Sequence, residues 1–231
     1  GRGNVVWLAT LGGGTKIKFS GDQLEVKNYG RREGLVSDYI YQIFIDSQDR
    51  VWFATDGNGA GMLDESGFHH YDKGLSSKVV YGFAEDSNHR IWLNIQGEGL
   101  FQFDGEAFQP LAKETPLRDK NINGFSSDTY GNLVILHDLG IEIYDIEKKK
   151  VRYLADEVGI RDMKPNLNAL TRDSRGRIYI GTDQGIMKYS DRSYNSLTSP
   201  TLAIEGLLLN DEKVDLSSNL SFAYNENSVI I

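Results

Sequence analysis

The sequence predicts an all-β fold. We expect a partial β-propeller, four blades plus part of a fifth with four-stranded antiparallel blades, followed by the first strands of a β-sandwich. Two observations lead to this prediction. A short β-run centred on a large apolar residue recurs with anchors at positions 7, 52, 92, 134 and 179, and each full copy follows a turn that begins with Asp. The steps of 45, 40, 42 and 45 residues, with about four short strands each, are typical of propeller blades.

The first element is a blade that is cut short. Residues 4–29 contain three strand candidates, Val5–Thr10, Thr15–Phe19 and Leu24–Tyr29. The glycines at 12–14 and the Ser-Gly-Asp run at 20–22 separate them, because Gly and Asp tolerate the positive φ of hairpin turns. Since the anchor residue Trp7 belongs to a second strand in the other copies, this blade is predicted to lack its first strand.

Four further repeats follow, each with four predicted strands. They are rich in Val, Ile, Phe, Tyr and Trp, and Gly, Asp, Asn and Ser bound them. No window of 12 or more residues shows a helical period. In chain order the predicted strands are Tyr39–Ile45, Val51–Thr55, Gly61–Asp64 and Phe68–Tyr71; Val79–Glu85, Ile91–Ile95, Leu100–Phe103 and Phe108–Leu111; Asn121–Ser127, Leu133–His137, Ile141–Tyr144 and Val151–Leu154; Leu167–Arg172, Ile178–Gly181, Ile186–Tyr189 and Ser193–Leu197.

Two segments interrupt the repeat. Residues 155–166 come nearest to a helical pattern, but Gly159 and Pro165 favour a loop there. The repeat stops at Ser199-Pro200, and no anchor appears beyond it. We therefore assign residues 1–198 to the partial propeller and residues 199–231 to the truncated start of an immunoglobulin-like β-sandwich.

Composition excludes several classes of protein. The chain of 231 residues carries 25 basic and 33 acidic side chains, a formal net charge of −8, and no cysteine. The acidic balance argues against a nucleic-acid partner, and the absence of cysteine removes disulfides and thiolate metal sites. No apolar run reaches membrane-spanning length and no signal-peptide pattern is present. Because the chain begins within a repeat, we expect it to be a piece of a longer protein.

The repeat resembles the two-component regulator propeller repeat. That pattern has an Asp-led turn, a hydrophobic-Trp-hydrophobic-Gly-Thr run and a glycine turn. Arg177–Gly185 is similar to it apart from Tyr for Trp, and Val51–Thr55 and residues 6–10 are also close. The copy at Leu133–His137 lacks both Trp and Thr. The segment from Pro200 to Val229 looks like the start of the tyrosine-rich, immunoglobulin-like sandwich that follows such propellers.

The resemblance implies a role in signalling. Proteins of this kind place two propellers and the sandwich in the periplasm, ahead of a membrane helix and a cytoplasmic histidine kinase. Many respond to oligosaccharides derived from complex glycans. We therefore expect a non-catalytic, periplasmic sensor piece with an oligosaccharide ligand, no cofactor or metal, and no nucleic-acid partner. Its contact with a membrane would come only through absent parts of the parent, which we expect to be a homodimer.

The repeated residues have structural explanations. Trp7, Trp52 and Trp92 recur at one place in each repeat, which favours packing between blades over stacking on sugars. The Asp at the start of each turn is expected to bond the backbone two residues on rather than hold calcium. His89 stands where other copies have Asp or Gly, which predicts an exposed turn position. No zinc-type histidine spacing occurs, and a catalytic triad, which forms in space, stays open.

Candidate ligand residues lie on the loops that lead into each blade. These loops cluster near the axis of a propeller and vary between repeats here, while their flanks do not. An ordinary surface-loop role is the alternative for these positions. A propeller lyase or glycosidase and a protein-binding propeller remain as alternative functions. The candidate residues are Tyr39, Lys78, Lys120, Asn121 and Asn166.

Overall fold

The protein was analysed as a computed structural model. It describes residues 3–111, 115, 117–154 and 164–189, together with three short strands at 207–209, 212–214 and 229–230. The chain divides into two compact units, Gly1–Asp191 and Arg192–Ile231. Each unit is described by itself below.

The first unit is built from five small antiparallel sheets arranged as the blades of a β-propeller. A short 3₁₀ turn at Arg31–Glu33 joins the first two blades. The strands of the first blade are β1 (Val5–Thr10), β2 (Gly13–Ser20) and β3 (Gln23–Tyr29); of the second β4 (Ile40–Ile45), β5 (Val51–Thr55), β6 (Ala60–Asp64) and β7 (Gly67–Tyr71); of the third β8 (Val80–Glu85), β9 (Ile91–Ile95), β10 (Gly99–Phe103) and β11 (Phe108–Pro110); of the fourth β12 (Gly124–Ser127), β13 (Leu133–His137), β14 (Gly140–Asp145) and β15 (Lys150–Leu154); of the fifth β16 (Pro165–Arg172), β17 (Ile178–Thr182) and β18 (Gly185–Tyr189).

The number of blades differs from the prediction of four and a part. The first sheet has three strands, but it packs as a blade in its own right, because the indole of Trp7 meets the ring of Phe53 at 5.8 Å between centroids. Its β1 carries the anchor residue, as β5, β9, β13 and β17 do in the other sheets. Those four anchor strands each pair with an inner strand, β4, β8, β12 or β16. The predicted strand at 193–197 lies outside the described residues, as do positions 155–163 of the predicted loop.

The anchor aromatic residues form the core between blades. Trp52 is completely buried and Trp92 is 2 % exposed, which confirms the packing prediction for both. The Trp52 indole lies 5.2 Å from the Phe103 ring and 5.6 Å from the Phe83 ring of the next blade, measured between centroids. Trp7, by contrast, is only half-buried. The anchor side chains of the first four blades therefore pack each of these blades against the following one.

The carboxylate of the Asp that opens each turn accepts hydrogen bonds from the turn backbone and from side chains of the same blade. Asp46 Oδ1 accepts hydrogen bonds from the amides of Gln48 (2.9 Å) and Arg50 (3.0 Å). Its Oδ2 accepts from Arg50 Nε (2.6 Å) and from the Trp52 indole nitrogen (2.8 Å). Asp86 repeats all four bonds in the next blade. The predicted turn role is confirmed. In the second and third blades the bond to the indole, which the sequence did not reveal, also links the turn to the blade core.

The third position after each Asp requires a positive φ. Asp49, His89, Gly131 and Gly176 occupy it with φ values of 63°, 61°, 83° and 78°. Asp and His tolerate this left-handed conformation better than most side chains do. The predicted exposure of His89 is confirmed, since 66 % of its side chain is accessible.

The turn at Asp173 yields a prediction about pH. Its Oδ2 accepts a hydrogen bond from Arg177 Nε at 2.7 Å, and this bond holds the pKa of the carboxyl below its ordinary value of 3.8. Because folding lowers this pKa, the stabilisation is complete above 3.8 and is lost as the pH falls through the lowered value. We expect Arg177→Gln to raise the Asp173 midpoint in a carboxyl-carbon NMR titration. An unchanged midpoint would show that the guanidinium is not the cause.

One predicted turn is shorter than expected. The glycines at 12–14 were expected to separate two strands, but Gly13 and Gly14 are the first residues of β2. Gly13 has φ 109°, and a Cβ there would lie 2.2 Å from the carbonyl oxygen of Tyr29. The close approach of β3 therefore requires glycine at this position, and the turn itself reduces to residues 11 and 12.

The first blade presents an exposed apolar face, and the fifth blade has one strongly exposed apolar side chain. On the first blade Val6, Leu8, Leu24 and Val26 are between 41 % and 62 % exposed. Register places Val6 beside Ile17 and Ile17 beside Val26, so these side chains share one face of the sheet. On the fifth blade Ile186 is 79 % exposed. Apolar patches of this kind mark surfaces that pack against another sheet.

The second unit contains a small sheet of three short strands. They are β19 (Leu207–Leu209), β20 (Glu212–Val214) and β21 (Val229–Ile230), with β19 in the middle. The predicted sandwich is not confirmed by these strands, and it stays a prediction, as does the boundary at residue 198. Within the described residues, no helix has the length and apolarity needed to cross a membrane.

Candidate functional site

The inner strands of four blades enclose a cavity on the propeller axis. This axial cavity has a volume of about 340 Å³. Its lining comes from positions among the four residues that precede each repeat Asp, at the ends of the inner strands. The lining residues are Gln42, Phe44, Phe83, Ala84, Glu85, Phe125, Ser126, Ser127, Leu170, Thr171 and Arg172.

Polar side chains close the floor of the axial cavity. Gln42 Oε1 accepts a hydrogen bond from the amide of Phe83 at 2.6 Å. From the opposite side, Asn168 Nδ2 donates to the carbonyl oxygen of Tyr81 at 2.6 Å. A Cβ at Gly82 would lie 3.0 Å from the first of these side chains and 3.1 Å from the second. A glycine in β8 thus lets two amide side chains cross the axis and fix the inner strands to one another.

The carboxylate of Glu85 lies at the rim of the cavity and contacts a hydroxyl and an imidazole from two neighbouring turns. Glu85 Oε2 accepts a hydrogen bond from the Ser47 amide at 2.8 Å, and its Oε1 accepts from the Ser47 hydroxyl. His89 Nδ1 lies 3.1 Å from that same Oε1 and 2.9 Å from Ser47 Oγ. The Glu85 side chain is 15 % exposed. These bonds join the turn of the second blade to the inner strand of the third.

This rim cluster does not have the geometry of a catalytic triad. A triad uses one imidazole nitrogen for the acid and the other for the nucleophile. In this cluster a single nitrogen, Nδ1 of His89, faces both Ser47 and Glu85. The Ser47 proton is moreover directed at the carboxylate rather than at the imidazole. The cluster therefore lacks a relay that could activate the Ser47 hydroxyl.

Arg172 occupies the opposite side of the rim. Its Nη1 donates a hydrogen bond to Ser127 Oγ at 3.1 Å. The Ser127 hydroxyl donates in turn to the carbonyl oxygen of Glu85 at 2.7 Å, and Ser127 is only 3 % exposed. A buried and fully engaged serine therefore holds the guanidinium in place. Among the described residues, no carboxylate forms an ion pair with Arg172.

The predicted ligand residues lie at the other ends of the inner strands. Tyr39 is 52 % exposed just before β4, and Lys78, just before β8, pairs with Asp72 at 2.7 Å. Asn121 Nδ2 donates to Asp119 Oδ1 at 3.0 Å ahead of β12, and Asn166 is exposed at the start of β16. Lys120 lines a separate cavity of about 400 Å³ beside the third blade. The axial cavity contains none of these five residues, and a ligand role for them stays a prediction.

A buried polar pair lies within the fourth blade, on β13 and β14. His137 Nε2 is 3.6 Å from Glu142 Oε2, and both side chains are fully buried. Neither imidazole nitrogen has a hydrogen-bond partner, and the ring stacks on Tyr153 at 6.0 Å between centroids. A metal site needs at least one more ligand of this type. Within the described ranges no group of three such residues occurs.

Sequence reasoning overlooked the residues that line the axial cavity. The predicted ligand residues stand seven and eight positions before each Asp, where the loops lie. One position before each Asp stand Ile45, Glu85, Ser127 and Arg172. This column varies between blades as strongly as the loop columns do, and it could have identified the rim.

A family model and several solved structures are similar to this chain. The model of a family described as two component regulator propeller matches residues 34–57, which include β4 and β5. Curated protein sequences give no match. The extracellular domain of the hybrid two component system BT3049 from B. thetaiotaomicron is similar with a TM-score of 0.72 and 23 % identity, covering 100 % of this chain and 31 % of that chain.

Other solved structures share the fold. The extracellular domain of the hybrid two component system BT4673 from B. thetaiotaomicron has a TM-score of 0.66 and 23 % identity, covering 82 % of this chain and 28 % of that one. Virginiamycin B lyase from Staphylococcus aureus has a TM-score of 0.59 and 14 % identity, covering 83 % of this chain and 68 % of that one. The chain spans less than a third of the two extracellular domains. At these identities the likeness establishes the propeller fold.

Proposed function

We propose that this chain is part of the ligand-sensing, extracytoplasmic region of a hybrid two-component sensor histidine kinase. The observation that carries the proposal is the match of residues 34–57 to the two component regulator propeller family, inside a blade that recurs along the chain. The shared fold with two extracellular domains of hybrid two component systems supports it. The parent protein would supply the membrane segment and kinase and would place this region in the periplasm.

The ligand that we propose is an oligosaccharide derived from a complex glycan. The axial cavity, about 340 Å³ in volume, supports a small ligand, since ligand pockets in proteins span about 300–1,000 Å³. Its rim offers the hydroxyl groups of Ser126 and Thr171 beside the charged Arg172, and its wall includes phenylalanine rings. Such a mixture of aromatic faces and hydrogen-bonding groups suits the apolar and hydroxylated faces of a sugar.

The proposed role is binding rather than catalysis. The Ser47–His89–Glu85 cluster, which holds the functional groups of a triad, lacks its geometry. A sensor needs only differential affinity for its ligand between two states of the parent. The exposed apolar face of the first blade supports packing against further blades of the parent or against a second copy in a homodimer.

Binding of a panel of glycan-derived oligosaccharides tests the proposal. We expect calorimetric titration to detect binding of one oligosaccharide class, either by this chain or by a version extended to include the neighbouring blades of the parent. If only the extended protein binds, the site needs neighbouring blades and this chain is structural support. Absence of binding to every member of the panel by both proteins would refute the proposed ligand class.

A propeller enzyme is the second candidate function. The observation that favours it is the common fold with virginiamycin B lyase. An enzyme that cleaves polysaccharides, a lyase or a glycosidase, would convert its substrate, and one acid or base substitution would abolish turnover. We expect no product from any polysaccharide incubated with this chain. Product formation that is lost on replacing Glu85 or His89 would instead establish catalysis.

A further inference from the structure

We propose that the axial cavity is the ligand site and that it selects an acidic sugar, with Arg172 binding the sugar carboxylate. This inference rests on the proposed sensing function and adds to it the location of the site and the chemical class of the ligand. Three features of the axial cavity carry it: a positioned guanidinium without a carboxylate partner, a nearby carboxylate whose oxygens are engaged elsewhere, and a wall that combines rings with hydroxyl groups.

The first feature is the state of Arg172. A guanidinium carries five N–H donors in a planar fork that matches a carboxylate. Arg172 uses one of its donors on Ser127 Oγ, at 3.1 Å, and makes no ion pair with a described residue. Arg172 is an exposed residue, and its bond to the buried Ser127, which is itself bonded to Glu85, directs the guanidinium to the cavity rim. A guanidinium that is already positioned loses less side-chain entropy when it binds a ligand than a freely rotating guanidinium does.

The second feature is the orientation of Glu85. A carboxylate on the rim would repel an acidic ligand if its oxygens faced the cavity. Both of its oxygens, however, accept hydrogen bonds from Ser47, and His89 Nδ1 lies 3.1 Å from Oε1. These bonds orient the carboxylate towards the turn of the second blade and occupy acceptor positions on both of its oxygens. The donors of Arg172 that Ser127 does not use remain available to a ligand.

The third feature is the mixed character of the wall. Phe44, Ser126 and Thr171 line the cavity, whereas Phe83 and Phe125, which also border it, are only 2 % and 6 % exposed because they pack into the core between blades. The partly buried ring of Phe44 can meet the C–H face of a sugar, and hydroxyl side chains donate to or accept from its ring substituents. A volume of about 340 Å³ lies near the lower end of known ligand pockets. These properties fit one sugar unit or the end of a short chain.

The test compares an acidic and a neutral sugar of the same size. Titration calorimetry would measure the binding of glucuronate and of glucose to the wild-type chain and to Arg172→Ala. We expect the wild type to prefer glucuronate and the variant to lose affinity for it by about ten- to a hundredfold, because hydrogen bonds to charged groups are the strong ones. Glucuronate binding should also weaken as the salt concentration rises.

A matched control distinguishes the effect of Arg172 in the cavity from the effect of removing any positive charge nearby. Arg175 lies on the turn after β16 and uses its backbone amide, bonded to Asp173 Oδ1 at 2.9 Å, while its side chain is outside the cavity lining. Arg175→Ala removes the same charge near the same rim and should bind glucuronate like the wild type. Arg172→Lys keeps the charge without the fork and should show an intermediate affinity. Thermal unfolding of every variant would show that the fold is retained.

The outcomes distinguish this inference from the proposed function. Equal glucuronate affinity in the wild type and Arg172→Ala would overturn the inference, as would binding of neither sugar by the wild type. If oligosaccharides of the panel still bind in either case, the sensing function stands and only the site or the charge preference is wrong. Equal losses in Arg172→Ala and Arg175→Ala would also overturn the inference, since they would indicate a general charge effect.

Discussion

Replacing Trp52 with alanine is expected to lower the free energy of unfolding of the propeller by about 3–5 kcal/mol, the range for large-to-small changes of buried aromatic residues. The Trp52 side chain is completely buried. Its indole contacts Phe103 and Phe108 of the next blade with centroid distances of 5.2 and 5.9 Å. Alanine would leave a cavity at the seam between two blades and an unused acceptor on Asp46, which the indole nitrogen contacts at 2.8 Å.

Urea denaturation followed by far-ultraviolet circular dichroism would measure this loss. The chain provides its own control in Trp7, which occupies the same repeat position in the first blade but is only half-buried. We expect Trp7→Ala to cost clearly less, because less apolar surface returns to water. If the two variants lose equal stability, burial between blades is not what stabilises the anchor position.

The architecture was predictable because the repeat combines two kinds of signal. An Asp-led turn and an alternating apolar run each occur in many folds. Their joint recurrence at near-constant steps excludes most of those folds. The strands that carry the anchor residues, β5 and β9, begin and end where the sequence predicts. The prediction failed at Gly13 and Gly14, which belong to a strand. Glycine permits turns and close strand packing alike, and only the position of Tyr29 in the fold decides between them.

The candidate site was less predictable than the fold, for a geometric reason. Loop residues such as Tyr39 and Lys78 are recognisable in a sequence because they vary beside constant flanks. The axial cavity is instead formed by residues about 40 positions apart, one set from each inner strand, and only the closure of the blades brings them together. The contact between Arg172 and Ser127, two such residues, joins neighbouring blades at 3.1 Å. No local pattern signals that contact.

The turn aspartates link the structure of the repeated blade to the structure of the axial cavity. Asp86 lies directly after Glu85, so the bonds that hold its carboxylate also fix the end of β8 at the cavity rim. The Asp86 side chain is fully buried and accepts from Arg90 Nε at 2.6 Å and from the Trp92 indole nitrogen at 2.8 Å. A change at this position should therefore affect both the stability of the third blade and the geometry of the rim.

Replacing Asp86 with alanine is expected to cost about 2–4 kcal/mol of unfolding free energy, because the buried Trp92 donor and the partly buried Arg90 lose their partner. Asp86→Asn should lose less, since its amide oxygen still accepts hydrogen bonds. Asp104→Ala is the matched control, because Asp104 caps an exposed turn through the amides of Glu106 and Ala107 at 2.9 and 2.8 Å.

Urea denaturation of the three variants would rank these losses. We expect Asp86→Ala to be the least stable and Asp104→Ala to stay close to the wild type, because water can replace the bonds of an exposed turn but cannot reach the Trp92 indole. Trp92 is 2 % exposed, so its donor would stay unpaired in the alanine variant. Equal stability of Asp86→Ala and Asp104→Ala would mean that the indole bond adds nothing, and that the aspartate is repeated for the turn alone.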